Sequence, residues 1–104
     1  MSEIDLEAFA TAHASGVTVI DVREPDEYAA AHVPGARLIP LAQLPQHLSE
    51  LTRDERVYVI CASGGRSLAA VDLLARARLD AVSVAGGTNA WQRAGNQITS
   101  GMRP

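Results

Sequence analysis

The chain has one cysteine, Cys61, and the segment VYVICASGGRS (residues 57–67) sets it at an abrupt change of pattern. An apolar run, Val57, Tyr58, Val59 and Ile60, stops at the thiol. Ala62, Ser63, Gly64 and Gly65 follow, then Arg66 and Ser67, and then a stretch rich in alanine and leucine. A free thiol, with a pKa near ~8.5, is a weak nucleophile at neutral pH until its thiolate is stabilised. This loop has the means to do so. Small residues let successive backbone N–H groups curl inward, and the glycines accept φ > 0. A helix starting here points its unpaired N–H groups and positive dipole end at the same spot. Arg66 adds a full positive charge, and Ser67 adds a hydroxyl donor. The plain alternative is an inert cysteine closing a buried strand. The Gly-Gly pair and the arginine ahead of a helix favour a reactive thiolate in an anion cradle.

Such a cradle suits phosphate esters or sulfane-sulfur donors. The loops of cysteine phosphatases place one more residue between cysteine and arginine than the four found here. A tighter ring fits a smaller guest, such as one extra sulfur on the cysteine itself, so the spacing disfavours phosphatase chemistry.

The surrounding pattern must position this loop. Ser2 and Asp5 precede Leu6 and Phe9, which predicts a capped helix over residues 3–13, ended by Gly16. VTVIDV (17–22) reads as a strand buried on both faces. Glu24-Pro25-Asp26-Glu27 starts a short helix reaching about Ala31, its acids read as a solvated first turn. Pro34 and Gly35 break it, and a short strand follows near 37–40. Leu41, Leu44, Leu48 and Leu51 form a helical stripe. VYVIC is the next strand, and residues 67–79 the next helix. AVSVAG (81–86) is a further strand. Thr88 then caps a short helix carrying Trp91. Strand and helix alternate throughout, which predicts an α/β fold with a mainly parallel sheet of about four or five strands and helices on both faces. Ligands of such sheets sit at the carboxyl ends of strands, where Cys61 falls.

Bulk properties narrow the field further. The chain has 104 residues, one domain's worth, of which 47% are apolar. One cysteine forms no internal disulfide and no multi-cysteine metal site, and a reducing, cytoplasmic setting is expected. MSEIDLEAFA has no secretory pattern, and no apolar run reaches membrane-spanning length. The formal charge is −3 with no basic block, which argues against nucleic acid. All nine basic residues are arginine, which removes lysine-based chemistry. His13, His32 and His47 lie far apart, so no metal site is expected. Gly86 and Gly87 read as a tight turn, and Trp91 as core.

Three ordered segments carry a resemblance: VIDVREPDEYAAAHVPGA (19–36), CASGGRS (61–67) and VAGGTNAWQRAG (84–95). Together they resemble a single-domain rhodanese, a thiosulfate sulfurtransferase homology domain, over nearly the whole chain, leaving a short tail at 98–104. The resemblance implies a rhodanese-like fold and a cysteine that cycles through a persulfide, with no cofactor. Cys61 and Arg66 would be catalytic, with Arg66 closing a substrate cradle formed by Ala62, Ser63, Gly64, Gly65 and Ser67. Asp21 and Arg23, in the D-x-R motif, would lie near this loop and either fix it or tie neighbouring loops. The implied partners are a small anionic sulfur donor such as thiosulfate and an acceptor, cyanide or a thiol. A protein sulfur donor or acceptor is the other possibility. Ala62 departs from the family, many of whose members carry a basic or long polar residue there. Its absence weakens a contact to the thiosulfate sulfonate. A sulfur-carrier module acting with a partner protein is the alternative reading, and a small cysteine phosphatase or arsenate reductase is a weaker one.

Overall fold

The computed structural model describes residues 2–104. Its first element differs from the sequence expectation. Glu3–Ile4 is an edge strand, β1, and helix α1 spans Leu6–Ala14. Asp5 alone is the cap, accepting the Ala8 N–H at 2.8 Å. The strand forms because its neighbour would otherwise leave an edge unpaired: the N–H groups of Ser83 and Ala85 donate to Ser2 and Ile4 carbonyls.

Strand β2 (Thr18–Asp21) leads into α2 (Pro25–Ala30), which opens with a capping box between Glu24 and Glu27. The edge strand β3 is Arg37–Leu38. The leucine stripe at Leu41–Glu50 forms a 3₁₀ helix, not an α-helix. Pro45 lies inside it, and in an α-helix its ring would clash with the carbonyl four residues back, at Leu41, which disfavours regular α winding here. Strand β4 (Val57–Ile60) is followed by α3 (Gly65–Arg76), then β5 (Ala81–Val84) and α4 (Gly87–Arg93). Helix α3 starts two residues before the expected Ser67, so Gly65 and Arg66 belong to its first turn.

The five strands run in the order β1-β5-β4-β2-β3, and every adjacent pair is parallel. Helix α3 and the 3₁₀ helix cover one face, where Ile20, Val57, Val59 and Leu74 are buried. Phe9, Tyr28, Val33 and Trp91 cover the other. Helices therefore lie on both faces of a parallel sheet, as the alternation predicted. Strand β4, flanked by β2 and β5, delivers Cys61 to the carboxyl edge of the sheet, one residue beyond Ile60, the register partner of Asp21. The tail folds back along α2: Thr99 pairs with His32, and Gly101 N–H donates to Ala29.

Candidate active site

Cys61 is the first residue beyond β4 and is 1% exposed. The chain turns sharply behind it, with Gly64 at φ 122°. Here the missing side chain matters, because L-residues rarely adopt this conformation. The turn aims the Gly64 N–H at Sγ (3.1 Å) and the Ser67 N–H at the same atom (3.3 Å). Ser67 Oγ lies 3.4 Å from the sulfur. Burial pushes the Cys61 thiol up, but hydrogen bonds from the Ser67 hydroxyl and from the N–H groups of Ser67, Gly64 and, least, Ser63 outweigh it. The thiol settles below its ordinary value.

The carbonyls of the loop are turned the other way. Thr88 N–H donates to Cys61 O at 2.8 Å and Asn89 N–H to Ala62 O at 3.0 Å, both from the first turn of α4. Carbonyl oxygens that would repel a thiolate are thereby held by one helix, while the N–H groups face the sulfur. This use of the Gly86-Gly87 segment went unseen as a simple turn, although the Gly-Gly-Thr triplet marked it. The expected Thr88 cap is not made. Gly86 is the N-cap residue, and Thr88 Oγ1 is buried without a hydrogen-bond partner.

Arg66 lies at the loop exit, and its guanidinium is held there by a carboxylate that the sequence did not single out as its partner. Nη1 and Nη2 donate to the two carboxylate oxygens of Glu27 at 2.7 and 2.9 Å. The reason is geometric: α2 presents a planar carboxylate to a planar fork, and a bidentate pair is stronger than a single contact to sulfur. Glu27 was read as a solvated helix start; its role needed the start of α3 to meet α2 at the carboxyl edge of the sheet. The Arg66 fork, followed by the Glu24 N–H, lowers its carboxyl from 4.5 to about 2.

Asp21 is fully buried at the end of β2, and its carboxylate takes Nε and Nη2 of Arg23 at 3.0 and 2.8 Å. Arg23 also donates to Ala31 O at 2.7 Å. Among the described residues no hydrogen bond joins either side chain to residues 61–67. The pair braces the connection from β2 through α2, so the expected tie from Asp21 to the cysteine loop is replaced by this local one. A further group, invisible to motif reasoning, is Ser83 of β5, whose Oγ lies 2.6 Å from Ser67 Oγ.

Other candidates fall outside the site. His13 contacts Pro34 O, His47 contacts Glu50, and the buried His32 contacts Tyr28 O and Arg103 O. No group of three or more metal-ligating side chains occurs among the described residues. No helix among them is long and apolar enough to cross a membrane. Trp91 is 3% exposed and packs against Phe9.

Compared with known proteins, residues 6–94 match the rhodanese-like domain. The chain is 33% identical over 103 residues to a sulfurtransferase from Allochromatium vinosum, covering 96% of each. It is 43% identical over 67 residues to YrkF of Bacillus subtilis (strain 168), whose name proposes a sulfur-carrier role. That match covers 62% of this chain and 36% of YrkF. A second relative from that organism is likewise longer, with 59% of its length spanned. The crystal structure of a rhodanese-related protein from Thermoplasma volcanium superposes with a TM-score of 0.86 at 33% identity, covering 99% of this chain and all of that one.

Proposed function

The chain belongs to the rhodanese-like domain family, and on that premise we propose that it is a sulfurtransferase in which Cys61 carries sulfane sulfur as a persulfide. The observation that carries the reading is the convergence of the Gly64 and Ser67 N–H groups on a buried Sγ. These donors stabilise a thiolate, and they would stabilise a persulfide anion at the same place. Residues 62–67 serve as the cradle, Arg66 and Glu27 flank its mouth, and Asp21 with Arg23 support the neighbouring connection. Residues 1–104 act as one domain, and a reducing compartment such as the cytoplasm suits its free thiolate.

With thiosulfate as donor, the Cys61 thiolate attacks the outer sulfur. The S–S bond of thiosulfate breaks and its electron pair leaves with sulfite. Cyanide or a thiolate then attacks the outer sulfur of Cys61–S–S⁻, and the Cys61 thiolate departs. Two covalent half-reactions of this kind predict ping-pong kinetics.

A carrier role is the second reading, in which a partner protein's persulfide supplies the sulfur. It is favoured by the neutralised mouth: Ala62 offers no polar side chain, and Arg66 is already paired with Glu27. A dianion finds little free positive charge there. The test is intact mass of the reduced protein before and after thiosulfate, with Cys61→Ser as control. A gain of one sulfur, absent in the variant and reversed by cyanide, is expected of the enzyme. A gain only from a persulfide donor favours the carrier, and no gain from either sinks both.

A further inference from the structure

Ser83 is the one polar residue of β5, its side chain wholly buried on the α3 face of the sheet beside Val59. Its hydroxyl has one partner among the described residues, Ser67 Oγ, at 2.6 Å. Ser67 Oγ in turn lies 3.0 Å from Gly64 O and 3.4 Å from Cys61 Sγ. Ser67 thus has three partners and one proton to give.

Counting protons fixes the direction of the pair. If Ser67 donated to Ser83, the Ser83 proton would be buried with no acceptor, a state that proteins avoid. Ser83 therefore donates to Ser67, and the Ser67 proton is free for Gly64 O or for sulfur. With a neutral thiol, Ser67 Oγ accepts from both Ser83 and S–H and donates to Gly64 O. With a thiolate, the Ser67 proton swings to Sγ while Ser83 holds the oxygen. Gly64 O then keeps the Leu68 N–H at 3.2 Å, so nothing is orphaned. The arrangement has two satisfied settings that differ by one hydroxyl rotation.

We propose that Ser83 is a positioning residue for the cysteine chemistry, a fixed donor that turns the Ser67 hydroxyl into a proton donor for the Cys61 anion. It touches no substrate and acts through Ser67. The role rests on the sulfurtransferase reading for its biological use but not for its test.

The other charged groups around this network stay constant across the comparison of variants. They are Arg66 with Glu27, Asp21 with Arg23, and the exposed Glu3, the register partner of Ser83 in β1. Because Cys61 is the only cysteine, the thiolate ultraviolet absorbance of the chain titrates this one group. Ser83→Thr keeps the hydroxyl, and Ser83→Val has the same shape without it. The valine variant is expected to titrate roughly half to one pH unit higher than the wild type, and threonine to restore the wild-type curve. Equal titration of all three, or an equal shift in both variants, overturns the proposal. Ser83→Ala, which adds no atoms, must shift like valine; if the added methyl prevents folding, alanine against wild type decides alone. The acid limb of the pH–rate profile must move with the titration. Failure of the wild type to gain sulfur would overturn the sulfurtransferase reading while leaving this titration intact.

Discussion

Gly87 lies directly against the main chain of Cys61: a β-carbon built on it would stand 2.3 Å from the Cys61 carbonyl oxygen and 2.7 Å from the Ala62 carbonyl carbon. The neighbours are backbone atoms, which cannot swing aside, and Gly87 also has φ +57°. This contact allows the first turn of α4 to hold the carbonyls of Cys61 and Ala62. The orientation of the N–H cradle thus depends on a glycine from another element.

Gly87→Ala is therefore expected to displace the cysteine loop. Strain and the clash together cost at least ~2 kcal/mol, and misplacing the sulfur by an ångström lowers turnover about 100-fold. Chemical denaturation and sulfur-transfer rates check the two parts separately. A fully active variant of wild-type stability would show that the close approach is unimportant.

Ser67→Ala removes the hydroxyl that donates to the thiolate. A hydrogen bond to a charged group is worth ~1.5–3 kcal/mol, so the Cys61 pKa should rise by about one to two units. The lowered thiol means that the wild-type rate climbs with pH through a range below that of an ordinary thiol. In the variant that limb moves to higher pH. A pH–rate profile reads the displacement directly.

Glu27→Gln breaks the bidentate pair with Arg66. Glu27 has its carboxyl lowered from 4.5 to about 2, so its pair contributes stability that is complete above about pH 4.5 and is lost as pH falls to about 2. The variant should lack that acid dependence. At neutral pH the loss is small, roughly 0.5–1 kcal/mol, because both side chains are about one-third exposed. Freed of its counter-charge, Arg66 should also lower the thiosulfate KM about fivefold. Denaturation across pH and steady-state kinetics measure both.

Asp21→Ala leaves the Arg23 guanidinium buried without its partner, which costs ~3–5 kcal/mol. The Cys61 titration of the folded variant should not rise, because among the described residues no hydrogen bond links the Asp21 side chain to the cysteine loop, and removing a negative charge near the loop does not oppose the thiolate. A rise would instead give Asp21 a direct role at the sulfur.

The alternation of apolar runs with capped helices was enough to indicate a parallel sheet. The abrupt stop of VYVI at Cys61 was enough to indicate which strand end carries the thiol and its N–H loop. These are local signals: strand burial, turn glycines and helix starts each follow from residues a few positions apart. Pro45 belonged to the same local grammar, yet the 3₁₀ winding of the leucine stripe was not distinguished from an α-helix, since both periods place Leu41 and Leu44, three residues apart, on nearly one face. Glu3 and Ile4 were assigned to a helix because the demand for a strand came from β5, about eighty residues away.

The proposed nucleophile and its N–H cradle were legible in CASGGRS, because a ring of N–H groups is built by consecutive residues. The partners of that ring were not. Arg66 meets Glu27 across 39 positions of sequence, and Ser67 meets Ser83 across 16. Gly87 abuts Cys61 only because α4 follows β5 beside β4. Sequence alone singled out the thiol that we propose reacts and the backbone that faces it. Tertiary packing decided where the charge of Arg66 goes, which hydroxyl orients Ser67, and what holds the loop carbonyls away, since side-chain pairing depends on distances that only the folded sheet creates.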